Sequence, residues 1–195
     1  MTTDVVTGGM AKGQADGPSE KQREIVEDIR KLSRTMNEWL GERNDVTIVT
    51  AESLTGGGVS AALTAVPGTS SYFLGGIVAY SNPAKHELLG VPEDILKNPG
   101  AVSDPCARAM AEGARRAFDA TFAVATTGLA GPGGETGRKP VGLVYIAVTG
   151  PDGTVSEEHR FSGDRRTITD CAIEAALTLL GSEVDGWLKR DGGRT

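Results

Sequence analysis

Residues 49–63 read VTAESLTGGGVSAAL. A β-branched run, Val46 to Ala51, closes on a carboxylate and two hydroxyls (Glu52, Ser53 and Thr55), and three glycines, Gly56 to Gly58, follow. Val, Ile and Thr favour a pleated, half-buried strand. The small-residue stretch after Thr55 reads as a short helix stopped by Pro67-Gly68. The stretch is therefore a strand-to-helix junction, and open α/β sheets bind ligands outside such strand ends.

Gly56-x-Gly58-x-x-Ala61 satisfies the dinucleotide-binding pattern G-x-G-x-x-[G/A]. Two features argue against that reading. Four residues, Glu52 to Thr55, separate the strand end from the first glycine, where the pattern needs its tight turn at once. The second strand also ends in Tyr80-Ser81-Asn82, without the carboxylate that would hold a ribose. A dinucleotide oxidoreductase is thus disfavoured, and no G-x-x-x-x-G-K-[ST] phosphate loop occurs.

Working outward, residues 1–19 lack hydrophobic periodicity and read as a flexible tail. Residues 20–190 read as one domain. Ile25, Ile29, Leu32, Met36 and Trp39 mark an amphipathic helix opening on Ser19 and ending near Gly41 to Asn44. A second strand is expected at 72–80, weakened at Gly75-Gly76, and Asn82-Pro83 turns the chain into a short helix carrying Lys85. Ser103-Asp104-Pro105 starts a helix running to about Phe118, and 121–126 is a further strand. Strands 143–148 and 154–161 form a hairpin across Pro151-Asp152-Gly153. A final helix spans about 163–189, with Gly181 a point of interruption. Strands alternating with helices plus one hairpin give an α/β fold, three layers (α/β/α) around a mixed sheet.

Composition bounds the function. With 195 residues the chain suits one domain with a sizeable core, and a net charge of −6 gives no broad basic face for nucleic acid. It contains no apolar run long enough for a membrane span and no export signal, so a cytoplasmic protein without membrane partners is expected. Cys106 and Cys171 form no CxxC and are expected as reduced core thiols. With two histidines, His86 and His159, and no Cys/His cluster, no metal site is expected.

Three segments carry chemistry. In the first, Glu52, Ser53 and Thr55, with Gly56 and Gly57, crowd a strand end where a helix begins, a place suited to binding anionic groups. Ser53 is a candidate nucleophile, but a serine hydroxyl needs a base. His159 alternates with charged residues in the hairpin and His86 reads as a surface residue, so neither histidine serves. The second segment, AYSNPAKHELLG, offers Tyr80 at a strand end and Lys85 in the next helix, at the same sheet edge as Ser53. A buried lysine whose ammonium is poorly solvated becomes neutral and accepts a proton, and a tyrosine hydroxyl lying between it and Ser53 would relay that proton or orient the amine. In the third, TTGLAGPGG, Thr126 and Thr127 end a strand, and Gly131, Gly133 and Gly134 can turn backbone N–H groups toward a phosphate or oxyanion. Arg138 and Lys139 place cations beside this loop. Each segment also has a purely structural reading: glycines that let a helix pack, an exposed lysine, a solvated loop.

Together the segments resemble the C-terminal domain family of CinA, the nicotinamide-nucleotide amidohydrolases. The resemblance runs from about Glu24 to Leu188 through TAESLTGG, GGIVAYSNPAK, GAVS, TGLAGPGG, KPVGLVYIAV and FSGDR, in that order. It implies hydrolysis of the carboxamide of nicotinamide mononucleotide, a small-molecule substrate, with release of ammonia and no cofactor. It also implies a homo-oligomer, a dimer or larger, for which the long first helix and the hairpin are candidate contacts. Residue by residue, Ser53 matches the family's nucleophile, Tyr80 and Lys85 its activating pair, and Thr127 a hydroxyl lining the site. Longer members carry an N-terminal domain related to molybdopterin-binding proteins where this chain has a tail, so that domain's activity, such as pyrophosphate cleavage, is not expected. The family also often has an arginine after the isoleucine that follows GDR, where this chain reads Ile168-Thr169. The alternative function class is a non-catalytic nucleotide-binding or interaction module linked to competence and DNA damage.

Overall fold

The computed structural model describes residues 17–191, so nearly all of the expected N-terminal tail lies outside the described residues. The first helix, α1 (Glu20–Leu40), opens on Ser19. The Ser19 hydroxyl accepts the Gln22 N–H, and the Gln22 side chain accepts the Ser19 N–H, a reciprocal box that satisfies two otherwise unpaired donors.

Among the described residues five strands form one sheet. The central β1 (Ile48–Glu52) lies parallel to β2 (Phe73–Val78) on one side and to β3 (Phe122–Gly128) on the other. Beyond β3 the chain returns antiparallel as β4 (Leu143–Gly150) and closes the hairpin with β5 (Gly153–Arg160), giving the order β2-β1-β3-β4-β5. The remaining helices are α2 (Gly58–Thr64), α3 (Asn82–Leu89), α4 (Glu93–Ile95), α5 (Asp104–Phe118) and α6 (Arg165–Asp191). Helices α1, α2 and α6 cover one face of the sheet, and α3 and α5 the other.

The two faces are built from residues of different size. Ile48, Val124, Ile146 and Val148 fill the face under α6, whereas Ala51, Ala123, Ala125 and Ala147 lie under α5. Small side chains on the sheet meet Ala107, Ala111, Gly113 and Ala114 on α5, all buried. The close approach this permits lets α3, docked on α5, reach Ser53, the residue that follows β1.

The mixed α/β sheet agrees with the sequence reading, and the differences are local. Helix α2 begins at Gly58 because Gly57 takes φ 100°, a left-handed conformation in which a side chain is strained. Residues 93–100, unassigned from sequence, form α4 and an irregular helical turn, Leu96–Gly100, bounded by Pro92 and containing Pro99. Helix α6 runs through Gly181 without a break, its flanking Leu180 and Val184 fully buried. The glycine-rich loop between β3 and β4 is closed at its base, where Leu129 N–H donates to Leu143 C=O (2.9 Å) and Gly142 N–H to Leu129 C=O (2.7 Å). Among the described residues no helix is long and apolar enough to cross a membrane.

Candidate active site

Successive residues of an extended chain point to opposite faces. At the end of β1 this sends the Glu52 side chain toward α2 and the Ser53 side chain toward α3. The Ser53 N–H donates to Thr126 C=O (3.0 Å), which extends the β1–β3 ladder by one bond and fixes the serine at the sheet edge. Opposite it, α3 opens on Ser81, whose hydroxyl accepts the Ala84 N–H, with Pro83 in the first turn. One turn further on, Lys85 points inward and is only 2% exposed.

Lys85 Nζ lies 2.8 Å from Ser53 Oγ, 2.8 Å from Ala79 C=O and 3.5 Å from Tyr80 C=O. Among the described residues no carboxylate forms an ion pair with it, and burial pushes the ammonium below the ordinary lysine range. A neutral amine has two N–H donors and one lone pair. Charged, Nζ donates to all three oxygens; neutral, it can donate to the two carbonyls and accept the Ser53 hydroxyl proton. The neighbouring Cys106 thiol, which burial pushes up to about 11, stays protonated at neutral pH and adds no charge.

The other sequence candidates fall in less expected places. Tyr80 does not bridge Ser53 and Lys85: its side chain turns outward, 59% exposed, and its hydroxyl accepts from Arg165 (2.8 Å). Lys85 reaches the serine directly. Glu52 and Thr55 were expected to bind substrate, but both are closed off, at 1% and 7% exposed. The Glu52 carboxylate accepts from the N–H groups of Gly57, Val59 and Ser60, the Ser60 hydroxyl and the Thr55 hydroxyl, all at 2.7–3.0 Å. The N-terminal amides of α2 that an anion would have used are therefore occupied from within, Gly57 among them. Gly56 is exposed and its N–H closes a turn onto Ser53 C=O (3.2 Å). Thr127 shares the α3 side of the sheet with Ser53, and its hydroxyl donates to Ala101 C=O (2.7 Å), pinning β3 to the segment before α5.

At Leu54, the residue that follows Ser53, lies a cavity of about 320 Å³, walled also by Tyr80, residues 128–134 and Arg165. Gly131, Gly133 and Gly134 all take positive φ there, the backbone habit of anion-binding nests. Arg165, at the start of α6, donates to Gly131 C=O (2.6 Å) and to the Tyr80 hydroxyl, joining the glycine loop to the opposite wall. Sequence reading assigned it no role, although Asp164, which accepts the Thr167 N–H, marks a helix start that aims the next residue back toward the sheet edge. Lys139 donates to Pro99 C=O (2.6 Å) and braces the base of the loop, while Arg138 is exposed. Thr169 back-bonds to Arg165 C=O within α6. His86 pairs with Val91 C=O and His159 with Glu157, so neither is directed at Ser53.

Fold and site together define an α/β protein that holds a serine hydroxyl against a buried lysine amine at the C-terminal edge of its parallel strands. A family model, the CinA C-terminal domain, matches residues 29–184, and the chain belongs to that family. A CinA-like protein of Parasynechococcus marenigrum is 56% identical over 125 residues, covering 64% of this chain and 30% of that protein. The chain spans about a third of the length of the curated relatives it matches. Among solved structures, the competence/damage inducible protein CihA from Agrobacterium tumefaciens superposes with a TM-score of 0.76 at 40% identity, covering 78% of this chain and 93% of that one. The competence damage-inducible protein A (ComA) from Klebsiella pneumoniae gives 0.77 at 32% identity, covering 82% and 98%.

Proposed function

We propose that the chain is an amidohydrolase that converts nicotinamide mononucleotide to nicotinate mononucleotide and ammonia. The observation that carries this reading is the 2.8 Å contact between Ser53 Oγ and a buried Lys85 amine that has no carboxylate partner among the described residues. An alcohol activated by a neighbouring neutral base is the requirement for acyl transfer.

In the first step Ser53 Oγ adds to the carboxamide carbon as its proton passes to Lys85 Nζ. The C–N bond then breaks, the lysine ammonium protonates the departing nitrogen, and ammonia leaves an acyl-serine. Water adds next, giving a proton to Lys85. Collapse breaks the C–O bond to Ser53, which regains its proton, and the carboxylic acid is released. The sum is amide plus water giving acid plus ammonia, with the lysine returned neutral. Arg165 and the positive-φ backbone of the 131–134 loop suit the 5′-phosphate, and the exposed Tyr80 ring suits the apolar face of a pyridine or ribose.

Ammonia release from nicotinamide mononucleotide by the purified protein is the test. Activity is expected in the wild type, and Ser53→Ala and Lys85→Ala are each expected to reduce it by roughly 10³-fold or more. Tight binding of the nucleotide without ammonia release would instead assign the chain to the non-catalytic modules. Hydride transfer to a dinucleotide is not expected.

A further inference from the structure

The Glu52 carboxylate is saturated. Its Oε1 accepts the Ser60 N–H (2.8 Å) and hydroxyl (2.7 Å), and its Oε2 accepts the Thr55 hydroxyl (2.7 Å) and the N–H groups of Gly57 (2.9 Å) and Val59 (3.0 Å). The Gly58 N–H goes to Thr55 C=O (3.0 Å) and the Gly56 N–H to Ser53 C=O (3.2 Å). Every amide from Gly56 to Ser60 therefore has an acceptor inside the turn. The two that follow Ser53 directly, Leu54 N–H and Thr55 N–H, have none among the described residues. A negative group with five donors around it, 1% exposed, also holds the turn against relaxation.

We infer that Glu52 is a positioning residue for the nucleophile turn: it holds Ser53–Gly56 so that the N–H groups of Leu54 and Thr55 receive the oxygen that becomes negative when Ser53 Oγ adds to a carbonyl. In that addition the new C–O bond forms, the carbonyl π pair moves onto its oxygen, and the serine proton goes to Lys85. Donors must be aimed where charge develops, and the amide of the residue after a nucleophile is placed for this. Because Glu52 takes the amides at the start of α2, this turn stabilises the oxyanion, and the phosphate is left to the opposite wall.

The inference rests on the reading of Ser53 as nucleophile, so its test has a readout independent of the nucleotide. Glu52→Gln keeps the shape but turns one acceptor oxygen into a donor facing N–H groups. With folding checked by circular dichroism and thermal unfolding, kcat is expected to fall on the order of 100-fold with KM within about 3-fold. Phosphorylation of Ser53 by diisopropyl fluorophosphate, in which the Oγ–P bond forms as fluoride leaves and whose phosphoryl oxygen needs the same amides, is expected to slow in parallel. A folded Glu52→Gln protein with near-wild-type kcat and labelling rate overturns the inference. So does a rise in KM with kcat unchanged, which would make Glu52 a binding residue. Should Glu52→Gln fail to fold, Ser60→Ala, which removes one side-chain donor to Oε1, is expected to lower the labelling rate several-fold, and an unchanged rate overturns the inference. A wild type that releases no ammonia but is labelled at Ser53 refutes the proposed substrate alone, and the labelling comparison still decides the role of Glu52.

Discussion

Gly113→Ala joins packing to chemistry in one substitution. Gly113 lies on the buried face of α5, and a Cβ there would sit 1.9 Å from Leu89 C=O and 3.0 Å from Leu89 Cα, at the last turn of α3. An ordinary contact needs about 3.4 Å, so α3 would have to move away by roughly 1.5 Å. In an isolated helix the same change would help by about 1 kcal/mol, through alanine's higher helix propensity. Forced overpacking costs about 1–3 kcal/mol, and here backbone rather than a flexible side chain is struck, so the packing cost should win. The net is a loss of up to about 2 kcal/mol, which corresponds to a Tm lower by up to roughly 4–8 °C for a domain of this size. Lys85 is one turn before Leu89 on the same helix, and its 2.8 Å contact with Ser53 is expected to stretch past hydrogen-bonding range. Misplacement of this order costs about 100-fold in turnover. Ammonia release at 25 °C, well below the unfolding transition, should therefore show kcat falling about 100-fold while KM changes little, since the cavity walls come from other elements. A raised Tm would refute the packing argument. A folded variant with turnover within about 3-fold of wild type would refute the claim that the docking of α3 sets the Ser53–Lys85 geometry.

Three further outcomes follow from the charges. Burial lowers the Lys85 pKa, and only the neutral amine accepts the serine proton, so kcat/KM should rise about tenfold per pH unit below that pKa and level off above it. The unfolded chain binds more protons between the lowered and the ordinary pKa, so folding stability should climb with pH in that window. The slope is at most about 1.4 kcal/mol per pH unit, and Lys85→Met should abolish the climb in denaturant titrations. An acid-side rate limb that survives in a variant lacking Lys85 would assign the base elsewhere. Arg165→Ala should raise KM for nicotinamide mononucleotide about tenfold while leaving nicotinamide riboside, which lacks the phosphate, nearly unchanged. Equal losses on both substrates would show that Arg165 only braces Tyr80 and the glycine loop.

The elements that local rules govern were legible in the sequence. Ser19 and Ser103 cap α1 and α5 as read, each hydroxyl accepting an N–H three residues on, and Pro151-Asp152-Gly153 turns the hairpin. The inward turn of Lys85 was weighed against an exposed lysine and could not be decided locally. It depends on α5 pressing α3 onto the sheet through Gly113 and a floor of alanines, contacts between residues far apart in sequence. Glu52 was misjudged because a carboxylate at a sheet edge suggests a ligand, yet a partner lay a few residues on, in the amides of α2. Strand alternation could have raised the question, since it puts Glu52 and Ser53 on opposite faces. Tyr80 finds its partner 85 residues away in Arg165, which no local pattern announces.

The loop from Leu129 to Gly142 leaves the sheet on β3 and re-enters it on the adjacent, antiparallel β4, with its two ends clasped to each other at 2.7–2.9 Å. A loop whose ends are already held together can be lengthened or exchanged at small entropic cost, about 0.6 kcal/mol per doubling of length. Ser53 lies in the turn after β1 and Lys85 in α3, and neither is touched by such a change. One wall of the cavity can thus be rebuilt while the reacting pair stays in place, so the choice of substrate and the bond that is cut are open to separate evolution and to separate engineering.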